Sequence, residues 1–234
     1  MTAPFWTYVP VSAVVPPVRR PYAAAFRALI ALAALTGVVI AAVLGSPARV
    51  LSHFTVQSNV LVAAVFAVSA RRAWAGRPPV RPRITGAVLL YIAITAVVHH
   101  LVLAGAAAPA GWAAVADHLL HTLVPIGVAL DWLLLVRPCG LRPLDAALWL
   151  VYPAVYVLFV LARGFALPPG TAGRYLYPFL DPLTHGYRVV IAHALVLGLS
   201  FYALSLAVTA LDWIRPHVRG RQNRISSQGA GGLK

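Results

Sequence analysis

The sequence predicts an all-α protein, a polytopic bundle of six transmembrane helices with both termini in the cytoplasm. Three observations predict it. Of the 234 residues, 61% are hydrophobic and only 10% charged, whereas a soluble domain carries about a quarter charged residues to cover its surface. The apolar residues fall into six runs close to the roughly 20 residues that a helix needs to cross the hydrocarbon core. The basic residues, which raise the net charge to +14, lie mainly between those runs and at the C-terminal end. A nucleic-acid-binding domain would spread such charge over one soluble face. Membrane lipid, and not nucleic acid, is therefore the expected partner.

The elements follow in chain order. Residues 1–21 read as a short cytoplasmic tail. They do not read as a signal peptide, because Arg19 and Arg20 follow the mildly apolar stretch and Pro10, Pro16 and Pro17 interrupt it. The transmembrane domain covers 22–212. Its first span is roughly 22–44, ended by Gly45-Ser46-Pro47. The second is roughly 53–70, ended by Arg71-Arg72, and the third roughly 84–103. The fourth is roughly 112–136, stopped by Pro138 and Gly140. The fifth is roughly 144–162 and the sixth roughly 186–211. Residues 213–234 form a basic tail with the composition of a disordered segment. The single Cys139 falls in a loop and excludes an intramolecular disulfide or a thiolate metal cluster.

Orientation follows from the Arg and Lys residues of the short loops. The connection between spans two and three carries Arg71, Arg72, Arg77, Arg81 and Arg83, that between four and five carries Arg137 and Arg142, and both tails are basic. The opposite side holds Arg49, Arg163 and Arg174, with Arg188 just inside span six. The even connections and both termini are thus expected to be cytoplasmic.

Ionisable groups inside a membrane are costly and usually mark function. With this orientation, Thr55, Ser58 and Asn59 lie towards the outer end of span two, with Ser52 and His53 at its entrance. His99 and His100 lie near the outer end of span three, Asp117, His118 and His121 in the outer half of span four, and His193 in that of span six. The inner halves look almost devoid of such groups apart from Asp131 and Asp212. A polar layer at one depth suggests one outward-facing site. Asp117 and His121 are four apart and share a helix face, as do His118 and His121. His99 and His100 point about 100° apart, so only one can face the interior. Pro125 cannot donate to the His121 carbonyl, and a kink or opened backbone is expected there.

Bland readings stand beside these. A transmembrane Thr, Ser or Asn is most often packing glue. His53, His185 and His217 read as interfacial anchors, and Tyr177-Pro178-Phe179 as an interfacial belt. Three chemistries suit the layer. Hydrolysis needs a hydroxyl nucleophile, a His base and an orienting carboxylate; Asp117 is on the right face and Asp181 is a second candidate. Metal or haem binding would use the histidines, although the chain has no Glu and hence no His-Glu-x-x-His. Transport lacks a polar path through the inner half.

Three segments then occur in order: Phe54-Thr55-Val56-Gln57-Ser58-Asn59 opening span two, Asp117-His118-Leu119-Leu120-His121-Thr122 in span four, and Leu176-Tyr177-Pro178-Phe179-Leu180-Asp181 before span six. Through them, and through its topology over residues 22–212, the chain resembles the bacterial six-pass membrane proteins related to the androgen-induced-gene family of animals. The animal members are transmembrane threonine hydrolases that cleave esters of fatty acids with hydroxy fatty acids, using one Thr and one His. Thr55 matches that Thr. His121 matches that His, the second of a His-x-x-His-Thr pattern running from His118 to Thr122. The resemblance implies Thr55 as nucleophile, His121 as general base, a lipid ester as substrate, no metal or other cofactor, and a multi-pass protein of the cell membrane. Gln57-Ser58-Asn59 matches the bacterial branch and departs from the animal one. Asn59, or a backbone N–H near Pro125, is expected to support the oxyanion.

Overall fold

The computed structural model describes residues 18–103, 109–138, 140–171 and 173–215. Cys139, His217 and most of both tails lie outside them, so the expectations placed on those residues are not addressed by the structure.

Among the described residues the fold is helical, without a strand. In chain order the helices are α1 (Pro21–Leu44), the short α2 (Pro47–Leu51), α3 (Phe54–Trp74) and α4 (Pro82–Val97), the last prolonged by a π-helical turn, Val98–Val102. Then come α5 (Trp112–His118), a second π-helical turn (Leu119–Leu123) and α6 (Val124–Leu134). Next are α7 (Pro143–Trp149), α8 (Val151–Ala166), a 3-10 turn (Pro178–Leu180) and α9 (Pro182–Ile214). Among the described residues, six helical stretches are long and apolar enough to cross a membrane: Pro21–Leu44, Phe54–Trp74, Pro82–Val102, Trp112–Leu134, Pro143–Ala166 and Pro182–Ile214. The shortest have 21 residues, or about 31 Å of helix, enough for a hydrocarbon core of about 30 Å.

Several boundaries differ from the sequence reading for local reasons. α3 runs past Arg71 and Arg72 to Trp74, because long basic side chains can reach polar surroundings without ending the helix. The fifth span is broken at Leu150 between α7 and α8. Pro153 has no N–H for the Trp149 carbonyl, so the ladder cannot run through. The sixth span starts earlier than expected, at Pro182, because the Asp181 carboxylate accepts the Leu183 N–H and caps the helix. Gly186 then takes φ 75°, ψ 155° inside it, a conformation open to glycine and strained for other residues.

The helices alternate in direction. The Arg20 N–H donates to the Ala73 carbonyl, joining the start of α1 to the end of α3, and Asp212 at the end of α9 accepts from the Gly140 and Leu141 N–H groups before α7. α1 and α3 form the most extensive helix pair. On α1, Ala24, Ala31, Ala34 and Gly37 are buried, spaced so that one face lets a neighbouring backbone approach closely. A Cβ on Gly37 would lie 2.7 Å from Leu120 Cδ2. The outward faces carry exposed leucines and valines, among them Leu29, Leu32, Leu195 and Leu199, as expected where the solvent is hydrocarbon.

The half of the bundle expected to be nearly free of charge holds a buried ion pair. Arg27 of α1 sets its Nε 2.8 Å from Asp131 Oδ1 of α6, and the two residues are only 6% and 3% exposed. A single Arg in an apolar run is averaged away by hydropathy, which is why only Asp131 was expected there. Nearby, Asp212 pairs with Arg215 at 2.7 Å, and the Arg215 guanidinium lies 3.6 Å from the centre of the Trp132 ring and donates to the Trp132 carbonyl.

Candidate functional site

The site is assembled at the opposite end of the bundle, where α3 begins and the fourth span is irregular. α3 starts at Phe54, leaving Thr55 in its first turn. The Phe54 N–H, which an α-helix leaves without an internal partner, donates to the Tyr156 hydroxyl at 2.9 Å and to the Tyr177 hydroxyl at 3.3 Å. The Tyr156 hydroxyl in turn donates a hydrogen bond to the Ser52 carbonyl at 2.8 Å. Burial pushes the Tyr177 hydroxyl above its ordinary pKa, so it stays a neutral hydrogen-bonding group.

In the fourth span Pro125 has the effect that its missing N–H implies. The backbone opens into the π-helical turn Leu119–Leu123, and the His121 carbonyl accepts from His100 Nε2 at 3.2 Å. The turn directs the His121 ring at Thr55, with Nε2 3.2 Å from Thr55 Oγ1. Its Nδ1 lies 2.9 Å from Asp117 Oδ1. We assign the Nδ1 proton to the bond with Asp117, which leaves the Nε2 lone pair to accept the Thr55 hydroxyl proton. His99 stacks on His121 with ring centres 3.9 Å apart and planes at 10°, and its Nε2 is 3.4 Å from Asp117 Oδ2. Each carboxylate oxygen of Asp117 thus faces one imidazole.

The structure therefore brings Thr55, Asp117 and His121 together and adds His99, while His100 is exposed. Asn59 is fully buried, but its amide donates to the Thr55 carbonyl at 2.9 Å and the Leu120 carbonyl at 3.3 Å. Both donor hydrogens are in use, so Asn59 ties α3 to the π-helical turn instead of supporting an oxyanion. His118 is exposed and stands outside the network. Asp181 is also apart from it, because its carboxylate accepts from the Leu183 N–H and the Thr184 hydroxyl. His193 bonds the Phe179 carbonyl at 2.9 Å and serves the loop. Tyr156 was missed by sequence reading, although Tyr152 and Tyr156 at four-residue spacing on one face were a signal. Tyr177, read as part of a belt, reaches into the site.

His99, Asp117 and His121 each offer a ligand atom, and these atoms lie within 4.8 Å of one another. This donor set suits a divalent ion such as zinc, which would take the place of the protons now shared with Asp117. Thr55, His99 and His121 also form the polar end of a cavity of about 800 Å³. Its other walls are mainly apolar, with Val157 and Leu161 from α8 and Val190, Leu197 and Phe201 from α9. That volume falls within the roughly 300–1,000 Å³ typical of small-molecule sites. No family model, curated protein or solved structure matches this chain.

Proposed function

We propose that the protein is an integral membrane acyl-ester hydrolase in which Thr55 is the nucleophile, His121 the general base and Asp117 the group that orients His121. The observation that carries the reading is the Thr55–His121–Asp117 chain of contacts, 3.2 Å and 2.9 Å long, at the polar end of an apolar cavity. His121 Nε2 takes the Thr55 proton as Oγ1 bonds to the ester carbonyl carbon. The C–O bond to the leaving alcohol then breaks, and His121 returns the proton to that alcohol. Water attacks the acyl-threonine by the same route, regenerating Thr55 and releasing the fatty acid. The Thr55 N–H, a first-turn donor that α3 itself leaves without a partner, is a candidate for holding the oxyanion. The reading agrees with the resemblance drawn from the sequence motifs.

Labelling with a fluorophosphonate probe tests the nucleophile. Wild-type protein is expected to label and His121→Ala to label poorly, with chelator making no difference. Wild-type labelling no stronger than that of Thr55→Ala would sink the reading, and labelling lost with bound zinc would transfer the chemistry to the metal. Asp117→Asn is expected to lower kcat by about a hundredfold to ten-thousandfold, because an amide favours the wrong imidazole tautomer. A steady-state assay with a soluble ester checks this.

We also propose that the site opens on the outer face of the cell membrane, as the Arg distribution implies. In a Cys139→Ser background, Ala110→Cys is expected to react with an impermeant maleimide in sealed right-side-out vesicles, and Arg77→Cys only after permeabilisation. The reverse pattern refutes this orientation.

A further inference from the structure

The cavity continues well beyond the reacting groups, and its shape restricts the substrate. On α9, Val190, Ala194, Gly198 and Tyr202 all line it. They are four residues apart, on one helix face, and span twelve residues, or about 18 Å. Pro153, Val157 and Leu161 of α8, also four apart, form a facing wall. Apart from the Tyr202 hydroxyl, the polar groups along the way are already engaged. Tyr156 and Tyr177 hold the Phe54 N–H, and Thr95 donates to the Tyr91 carbonyl. Among the described residues, no Arg, Lys, Asp or Glu lines the cavity. A sugar, peptide or charged headgroup would find few partners there, and no charge to pair with. The span formed by α9 is also the least enclosed of the six, with 11% of its apolar window buried against 28–44% for the others, so the cavity is flanked by the part of the bundle most open to the bilayer.

Gly198 stands where this passage can be shortened. It is exposed, but it lines the cavity, eight residues after the buried Val190 and seven before the buried Ser205, spacings that share a helix face. A Cβ built on Gly198 meets no atom within 4 Å, so a side chain added there enters open space instead of displacing the core.

We propose that the cavity holds a single unbranched acyl chain, with its carbonyl at Thr55, and that the open space at Gly198 sets how long a chain is accepted. This deepens the hydrolase reading and rests on it for the position of the carbonyl, although the binding of the chain is measured separately.

The test uses the full-length protein in lipid nanodiscs. Gly198→Phe is expected to lower the ratio of kcat/KM for p-nitrophenyl hexadecanoate over the butanoate ester by about tenfold or more, the scale at which apolar pockets discriminate chain size. Val196→Phe, on an exposed position of the same helix outside the cavity lining, is expected to leave the ratio as it is. In parallel, binding of radiolabelled hexadecanoate is measured in a Thr55→Ala background, where weakening by about tenfold on adding Gly198→Phe is expected. If both ratio and binding ignore Gly198→Phe, the proposal is overturned. The same holds if a two-chain phospholipid displaces hexadecanoate equally well with and without the substitution. If wild type cleaves no ester but Gly198→Phe still weakens hexadecanoate binding, the acyl-chain site stands and the hydrolase reading falls.

Discussion

Replacing Thr55 by alanine is expected to lower kcat/KM for acyl-ester hydrolysis by about a thousandfold or more while leaving the unfolding temperature in detergent almost unchanged. The Thr55 side chain is only partly buried and makes one hydrogen bond, to His121. Losing such a bond costs about 1 kcal/mol, small beside the effect of removing the proposed attacking atom. Thr55→Ser keeps the oxygen and should retain most of the activity. His121→Ala should cost about as much as Thr55→Ala, and the double variant little more, because groups that act as one unit do not contribute additively. Single-turnover and steady-state kinetics check each expectation. Equal activity of wild type and Thr55→Ala, with both folded, removes Thr55 from the mechanism.

Arg27→Ala is expected to destabilise the protein by about 3–5 kcal/mol, the usual cost of breaking a buried ion pair from one side. It leaves the Asp131 carboxylate, 3% exposed, without the guanidinium now 2.8 Å away. Arg27→Met combined with Asp131→Leu removes both charges and should recover most of the loss, since apolar replacement of a whole pair is often neutral or better. Reversible unfolding in mixed micelles measures both. Asp131 lies ten residues beyond His121, about 15 Å along the helix, so the double variant should keep its catalytic constants. If Arg27→Ala unfolds like wild type, the pair contributes nothing to stability.

The two ends of the bundle differ in how far they can be read from residue order. The six spans are legible because the requirement for about 20 apolar residues acts on every one of them separately. Thr55, Asp117 and His121 are legible as candidates because helical spacing and Pro125 are local facts. Their meeting is not, since it depends on how α3 and the π-helical turn pack. The stacking of His99 on His121 and the reach of Tyr177 to the Phe54 N–H come from segments far apart in the chain, and no periodicity encodes them. Asp181 and Asn59 show another limit. A carboxylate next to a helix start will cap it when a free N–H is closer than an imidazole, and an amide facing two carbonyls will serve both. Residue type alone does not reveal which partner is nearest.

The π-helical turn at Leu119–Leu123 has a consequence for how the fourth span keeps time with itself. Such a turn holds one residue more than the α-helical ladder needs, and each residue advances an α-helix by about 100°. The stretch bearing Asp117 and the stretch bearing Asp131 therefore follow different phases, one aimed at the His99 and His121 rings and the other at Arg27. Deleting one residue from the turn would leave both stretches chemically intact but force them into a common phase, so that at most one could still meet its partner. In this span the length of the chain, counted in single residues, keeps the histidine-bearing end and the ion-paired end in register together.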